Sequence, residues 1–157
     1  MSRALLRERF GLQAHRETRD GTTYSLLLAN ANGTLGPNMK PNNDECKSNV
    51  SAPANAPAGA VRSAGCSDAD FIARSASRAL GAPVANRTGL AGKFEYAMFY
   101  SPDGDPLFGR DTTASAPDSA APRFSTALQE QLGLKVEKSR GKVDVLVIDH
   151  VERPSGN

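Results

Sequence analysis

The stretch Leu6-Arg7-Glu8-Arg9-Phe10-Gly11-Leu12-Gln13-Ala14 near the start of the chain has a close counterpart near its end, Leu128-Gln129-Glu130-Gln131-Leu132-Gly133-Leu134-Lys135-Val136. In each copy, apolar residues at helical spacing precede a glycine, which is typical of a short amphipathic helix with a C′ glycine. A strand, a turn signal and a second strand follow each helix. A unit that is used more than once indicates the architecture of the whole chain.

A third unit is predicted between these two copies. Ser67 and Asp70 form a capping-box pattern ahead of an apolar helical stripe, and Gly81 follows that stripe. The sequence therefore predicts an α+β fold, a single domain of three helix–strand–strand units with a mainly antiparallel sheet and the helices on one face. Helices are expected near 2–10, 68–80 and 124–132, with hairpin turns at Asp20-Gly21 and at Arg140-Gly141.

The most apolar segment lies at the end of this arrangement. Residues 142–151 are apolar at both odd and even positions, which predicts a central strand covered on both sides. The domain is expected to span 1–157, with irregular loops at 31–66 and 101–122 and a tail at 152–157. Cys46 and Cys66 bracket part of the first loop and are either a disulfide that closes it or two free thiols.

Composition excludes several classes of protein. The 157 residues are 39% apolar and carry a net charge of +2 with no basic run, which argues against nucleic-acid binding. No apolar stretch approaches the length of a membrane span. The first residues lack the apolar core of a signal peptide, so a cytoplasmic product is expected from the sequence as written.

The two histidines are the candidate general bases near neutral pH. If the first and last hairpins are neighbours, His15, Glu17 and His150 converge and supply a base and a carboxylate for water activation. The alternative is that both histidines are ordinary solvated or structural residues. No nucleophile elbow, phosphate-binding loop or zinc-protease motif is present in the sequence.

A cluster of oxygen ligands lies in the second predicted loop. Asp103, Asp105 and Asp111 are candidate calcium ligands, because calcium takes carboxylate and carbonyl oxygens from such loops. The spacing does not match an EF-hand, and the alternative is a turn stabilised by Asp-Gly and Asp-Pro pairs.

The segments 5–19, 88–95 and 128–135 resemble a family of uncharacterised proteins abundant in soil acidobacteria. So does the closing motif Val147-Ile148-Asp149-His150-Val151-Glu152-Arg153-Pro154. The resemblance covers nearly the whole chain apart from the two loops, and it implies a periplasmic or secreted location, because family members usually carry an exported leader. It implies no catalytic residues.

Two functions remain open at this point. One is a non-catalytic protein-interaction module of an exported or envelope-associated bacterial protein, which meets its protein partner through a strand edge. The other is a small hydrolase of esters or lactones that uses calcium or histidine-activated water and needs no organic cofactor.

Overall fold

The structure, a computed structural model, describes residues 2–42, 46, 50–101 and 120–153, with side chains from Ala4 onward. The elements of the described residues are α1 (Ser2–Phe10), β1 (Gln13–Leu28), β2 (Met39–Asn42), β3 (Val61–Ser67), α2 (Ala69–Leu80), β4 (Val84–Asn86), β5 (Lys93–Tyr100), α3 (Phe124–Ala127) with a π-helical turn (Leu128–Leu132), and β6 (Leu134–His150). Helices and mixed sheets confirm the α+β class.

The chain forms two compact units. Unit 1 comprises Met1–Thr22 and Arg140–Asn157, and unit 2 comprises Thr23–Ser139. The boundary falls within both long strands, β1 and β6. The expectation of a single domain over 1–157 stays a prediction.

The core of unit 2 lies on one face of the sheet β2-β5-β3, in which both pairings are antiparallel. Alternation along β5 buries Phe94, Tyr96, Met98 and Tyr100 on that face, as the sequence predicts. Apolar residues of α2, α3 and the π-helical turn pack in the same cluster. Within unit 2, these helical segments therefore cover a single face of this sheet.

The glycines after the helices adopt the conformation that the sequence predicts. Gly81 (φ 62°) and Gly133 (φ 70°) lie in the left-handed region, where a side chain is disfavoured. The cap at the start of α2 differs from the prediction. Asp68 is the N-cap and accepts a hydrogen bond from the Phe71 N–H at 2.7 Å, whereas the sequence pattern suggested Ser67 with Asp70.

The prediction of three helix–strand–strand units is wrong. β1 runs unbroken through Asp20-Gly21 and β6 runs unbroken through Arg140-Gly141. A two-residue hairpin of the Asp-Gly type requires positive φ at both central residues, and neither Gly21 nor Gly141 has a positive φ. Each expected hairpin is instead one long strand, and these two strands are neighbours in the sheet β4-β1-β6.

The prediction that the last strand is central is also wrong. In the described part of the chain β6 is the terminal strand of its three-stranded sheet. Leu146 and Ile148 are each 60% exposed. Although β6 has apolar residues on both faces, its two faces are therefore not both covered by other parts of the described chain. The sheet is mixed, because β1 pairs in parallel with β4 through Tyr24–Leu26.

The predicted loop 31–66 contains β2 and most of β3. A disulfide joins Cys46 to Cys66, whose Cα atoms lie 5.5 Å apart. It ties this loop to the end of β3. Most of the second predicted loop, residues 102–119, and the end of the predicted tail lie outside the described residues.

Gln131 fixes the π-helical turn to β5 in unit 2. Its amide Nε2 donates to the Phe99 carbonyl at 2.9 Å, and its Oε1 accepts from the Phe99 N–H at 3.0 Å. The side chain is buried, at 8% exposure. A buried polar side chain is tolerated here because both ends of its amide are hydrogen-bonded.

Candidate functional site

A histidine–carboxylate cluster lies on the paired strands of unit 1. His15 Nδ1 lies 2.9 Å from Asp149 Oδ2, and His15 Nε2 lies 3.9 Å from Glu17 Oε2. Alternation along β1 places His15, Glu17 and Arg19 on one face, and pairing with β6 brings Asp149 to it. We call these four residues the His15 cluster.

The strands of unit 1 run in opposite directions. His15 contacts Asp149, Thr18 contacts Asp144, and Asp20 contacts Lys142. As the residue number rises along β1, the number of its partner on β6 therefore falls. Falling partner numbers define an antiparallel pair. This pairing of residues more than a hundred positions apart creates the His15 cluster.

Interactions inside the His15 cluster lower the pKa of Glu17. The hydrogen bond that Arg19 Nη2 donates to Glu17 Oε2 at 2.8 Å is the main cause that lowers the pKa of this carboxyl below its ordinary value of 4.5. Partial desolvation acts in the opposite direction, and His15 lowers the pKa further. The same hydrogen bond raises the pKa of Arg19.

His150 is not part of this cluster. Its Nε2 lies 2.9 Å from Glu152 Oε1. Because Asp149 contacts His15, strand alternation directs His150 toward the opposite face. Of the three candidate catalytic residues, the structure therefore brings His15 and Glu17 together and leaves His150 apart.

The sequence analysis missed Asp149 as the partner of His15. Strand alternation separates Asp149 from His150, but no pattern in the sequence indicates which β1 residue faces Asp149. The resulting arrangement, a carboxylate on one imidazole nitrogen and the other nitrogen near Glu17, is one in which an imidazole can accept a proton. All four side chains are exposed, so water screens these charges.

The candidate calcium ligands Asp103, Asp105 and Asp111 lie outside the described residues. Within the described ranges, no group of three or more histidine, cysteine, aspartate or glutamate side chains has the geometry to hold a metal ion.

Unit 2 contains a cleft of about 320 Å³ beside β2 and β5. Lys40 Nζ contacts Glu95 Oε2 at 3.1 Å on its wall, and Asn42 Nδ2 donates to Glu95 Oε1 at 2.7 Å. Both carboxylate oxygens of Glu95 are thus engaged in cross-strand contacts of the sheet. This geometry supports the fold, and among the described residues that line the cleft Glu95 is the one carboxylate.

Unit 1 also exposes large apolar side chains. None of its described side chains is buried. Among the described residues, six large apolar side chains are exposed, and all but Phe71 belong to unit 1. The exposed apolar residues of unit 1 are Leu5, Leu6, Leu146, Ile148 and Val151. We call the two that share one face of β6, Leu146 and Ile148, the apolar surface.

These features define the class of protein. It is an α+β protein in which one unit has a packed core and the other carries exposed apolar side chains and an exposed His15 cluster. The chain belongs to the DUF3738 family of proteins of unknown function, whose family model matches residues 1–151. No curated protein and no solved structure matches the chain. Within the part of the chain that the structure describes, no helix is long and apolar enough to cross a membrane.

Proposed function

We propose that this chain is a non-catalytic protein-interaction module of an exported or envelope-associated bacterial protein, and that its protein partner binds unit 1. The observation that carries the proposal is the concentration of exposed large apolar side chains in unit 1. Exposed apolar side chains that occur singly need no explanation, whereas neighbouring ones form a patch of the kind that marks an interaction site, and Leu146 and Ile148 are neighbours on one face of β6.

The lack of buried side chains among the described residues of unit 1 supports the same conclusion. In its described residues, unit 1 is one helix and a two-stranded antiparallel ribbon with no buried side chain. A two-stranded ribbon is marginally stable in water on its own, because it has no core to offset the entropy of ordering. A partner that covers the apolar surface supplies the missing burial.

The disulfide supports the exported location. Cys46 and Cys66 are paired, and the structure has no free cysteine in the residues that it describes. Disulfides persist in oxidising compartments and are rare in the cytoplasm. The acidobacterial resemblance of the closing motif is consistent with the same assignment.

Site-specific photo-crosslinking tests this proposal. A photoreactive phenylalanine analogue is placed at Leu146 or Ile148, and the protein is irradiated in the cells that naturally produce it. Position 71 is the matched control, because Phe71 is a large exposed apolar residue of unit 2. The proposal predicts a discrete protein adduct from positions 146 and 148 and little from position 71. Equal labelling at all three positions would overturn it.

The His15–Asp149 contact of 2.9 Å favours a second candidate, a small hydrolase of esters or lactones. In this proposal His15 is the general base, Asp149 holds its imidazole, and Glu17 adds negative charge nearby, whereas His150 lies apart. A hydrolysis assay on short acyl esters and lactones tests it. Turnover that His15→Ala abolishes and Arg16→Ala leaves intact would support the hydrolase, and no turnover by the intact chain would exclude it for these substrates.

Calcium at Asp103, Asp105 and Asp111 is a separable part of this second proposal. A cation that binds only the folded chain raises the melting temperature by mass action. The melting temperature should be higher in calcium than in EDTA. The double variant Asp103→Asn/Asp105→Asn should show no such difference. Identical melting curves in calcium and EDTA would remove the calcium site.

A further inference from the structure

The outer edge of β6 in unit 1 is long and carries both apolar and charged residues. In the described part of the chain β1 is its one neighbouring strand, so its other edge has no partner strand there. From 142 to 150 this edge contains no proline and no glycine. Natural proteins usually protect edge strands by proline, bulges, charged side chains, short length or a covering segment, because an open edge pairs with another strand. β6 carries the charged residues Lys142, Asp144 and Asp149, so a strand that pairs with this edge has to match their charges.

We propose that a second copy of this chain covers this edge, with the two β6 strands pairing antiparallel about a two-fold axis at Val147. This inference rests on the proposed interaction function and names its partner. An isologous contact of this kind closes both open edges at once and leaves none for a third copy.

Charge and apolar complementarity select this register. With Val147 on the axis, Lys142 lies opposite Glu152 of the second copy, Asp144 lies opposite its His150, and Leu146 lies opposite its Ile148. Lys142–Glu152 is oppositely charged, Asp144–His150 can form a hydrogen bond, and Leu146–Ile148 is apolar, and directly opposed pairs of these kinds stabilise a sheet. The same register sets Val145 opposite Asp149, a pair without this complementarity. Within one chain these exposed side chains already make contacts, Lys142 with Asp20, Asp144 with Thr18 and His150 with Glu152. Because the contacts lie at the surface, where each contributes little to stability, the side chains can exchange them for contacts with the second copy.

Neighbouring registers lack this complementarity. An axis at Leu146 places Asp144 opposite Ile148 and Lys142 opposite His150. An axis at Ile148 places Asp144 opposite Glu152, which sets two carboxylates against each other. The axis at Leu146 also pairs opposite charges, Arg140 with Glu152, but it sets Asp144 against an apolar residue. Of these three registers, the axis at Val147 is the one that pairs Lys142 with Glu152 and makes Leu146 and Ile148 neighbours.

Sedimentation velocity over a range of concentrations gives the first test. The intact chain is expected to shift with concentration from 16.6 kDa to about twice that mass as a closed dimer. A single 16.6 kDa species at every concentration would overturn the inference, and so would growth beyond a dimer.

A charge exchange tests the register in the same assay. Lys142→Glu places like charges opposite each other at two symmetric positions, so the dissociation constant should rise about two- to thirtyfold. Adding Glu152→Lys to that variant should restore the affinity. Thermal melting followed by circular dichroism confirms that both variants fold. Failure of the second substitution to restore affinity would reject this register.

Cysteine crosslinking tests the axis directly. Residues directly opposite have Cβ atoms about 4.5–5.5 Å apart, so Val147→Cys should form a disulfide-linked dimer under mild oxidation. In this register the two copies of residue 143 lie about 27 Å apart, so Val143→Cys should not. Crosslinking at 143 but not at 147 would contradict the axis. If the chain is monomeric but a photoreactive residue at position 146 still crosslinks to a different protein, this inference is wrong and the proposed function stands.

Discussion

Replacing Gln131 with leucine tests how unit 2 is held together. The substitution keeps the approximate side-chain volume but removes the acceptor and donor that satisfy the Phe99 N–H and C=O at 3.0 and 2.9 Å. Leaving a buried polar group unsatisfied costs about 1–3 kcal/mol. Two such groups, offset in part by burial of the leucine, give an expected loss of about 2–4 kcal/mol in the free energy of unfolding.

Urea unfolding followed by circular dichroism measures this loss. Gln129→Leu is the matched control, because Gln129 lies in the same π-helical turn but is exposed. For a chain of this length, the expected loss corresponds to a fall of about 4–16 °C in melting temperature. If Gln131→Leu and Gln129→Leu unfold within about 0.5 kcal/mol of each other, the two hydrogen bonds do not stabilise the fold as argued.

Three further predictions follow from individual residues. Gly133→Ala should lower the free energy of unfolding in urea by more than about 3 kcal/mol, because its Cβ would overlap the backbone of Leu35 and Gly36 between β1 and β2. Gly89→Ala, with a similar φ and open space around it, should lower it by about 1–2 kcal/mol. Cys66→Ser should lower stability by about 3 kcal/mol by removing the disulfide, and a reductant should then cause no additional loss. In an NMR titration the Glu17 carboxyl should show a midpoint below 4.5, which Arg19→Gln raises.

The sign of the Glu17 effect on stability follows from linkage. A carboxyl whose pKa is lowered in the folded state contributes stability above its unfolded pKa and loses it as the pH falls through the folded pKa. The Arg19–Glu17 contact should therefore stabilise unit 1 at neutral pH and not in strong acid. Arg16→Gln is the control, and an equal change in the Glu17 midpoint in both variants would contradict the assigned cause.

Local signals predicted the helices well. The predicted spans 2–10, 68–80 and 124–132 agree closely with α1, α2 and α3 with its π-helical turn. Apolar spacing and terminal glycines are encoded within each segment, so neighbouring residues carry the information. Alternation along Lys93–Tyr100 predicted the buried face of β5 for the same reason.

Long-range pairing explains the errors. Asp20-Gly21 is a strong local turn signal, yet β1 passes straight through it because β1 pairs with β6 over a hundred residues away. No pattern within β1 names that partner. The His15–Asp149 contact could not be predicted for the same reason, because it depends on which strand pairs with β1. Alternation within β1 was enough to place His15 and Glu17 on the same face.

The edge position of β6 is also a property of the whole sheet. A strand that is apolar on both faces is usually covered on both, and the sequence analysis followed that rule. In this chain the apolar residues Leu146 and Ile148 are exposed, which is the observation behind both the proposed function and the further inference.

Hydrogen exchange of β6 tests the central claim, that a second chain closes an edge left open in one chain. Amide exchange is compared for peptides from 140–150 and from β5 at concentrations well below and well above the dissociation constant. The account predicts that peptides from 140–150 become protected as concentration rises, while β5, which lies between β2 and β3, stays protected throughout. Exchange across 140–150 that does not change with concentration would contradict it.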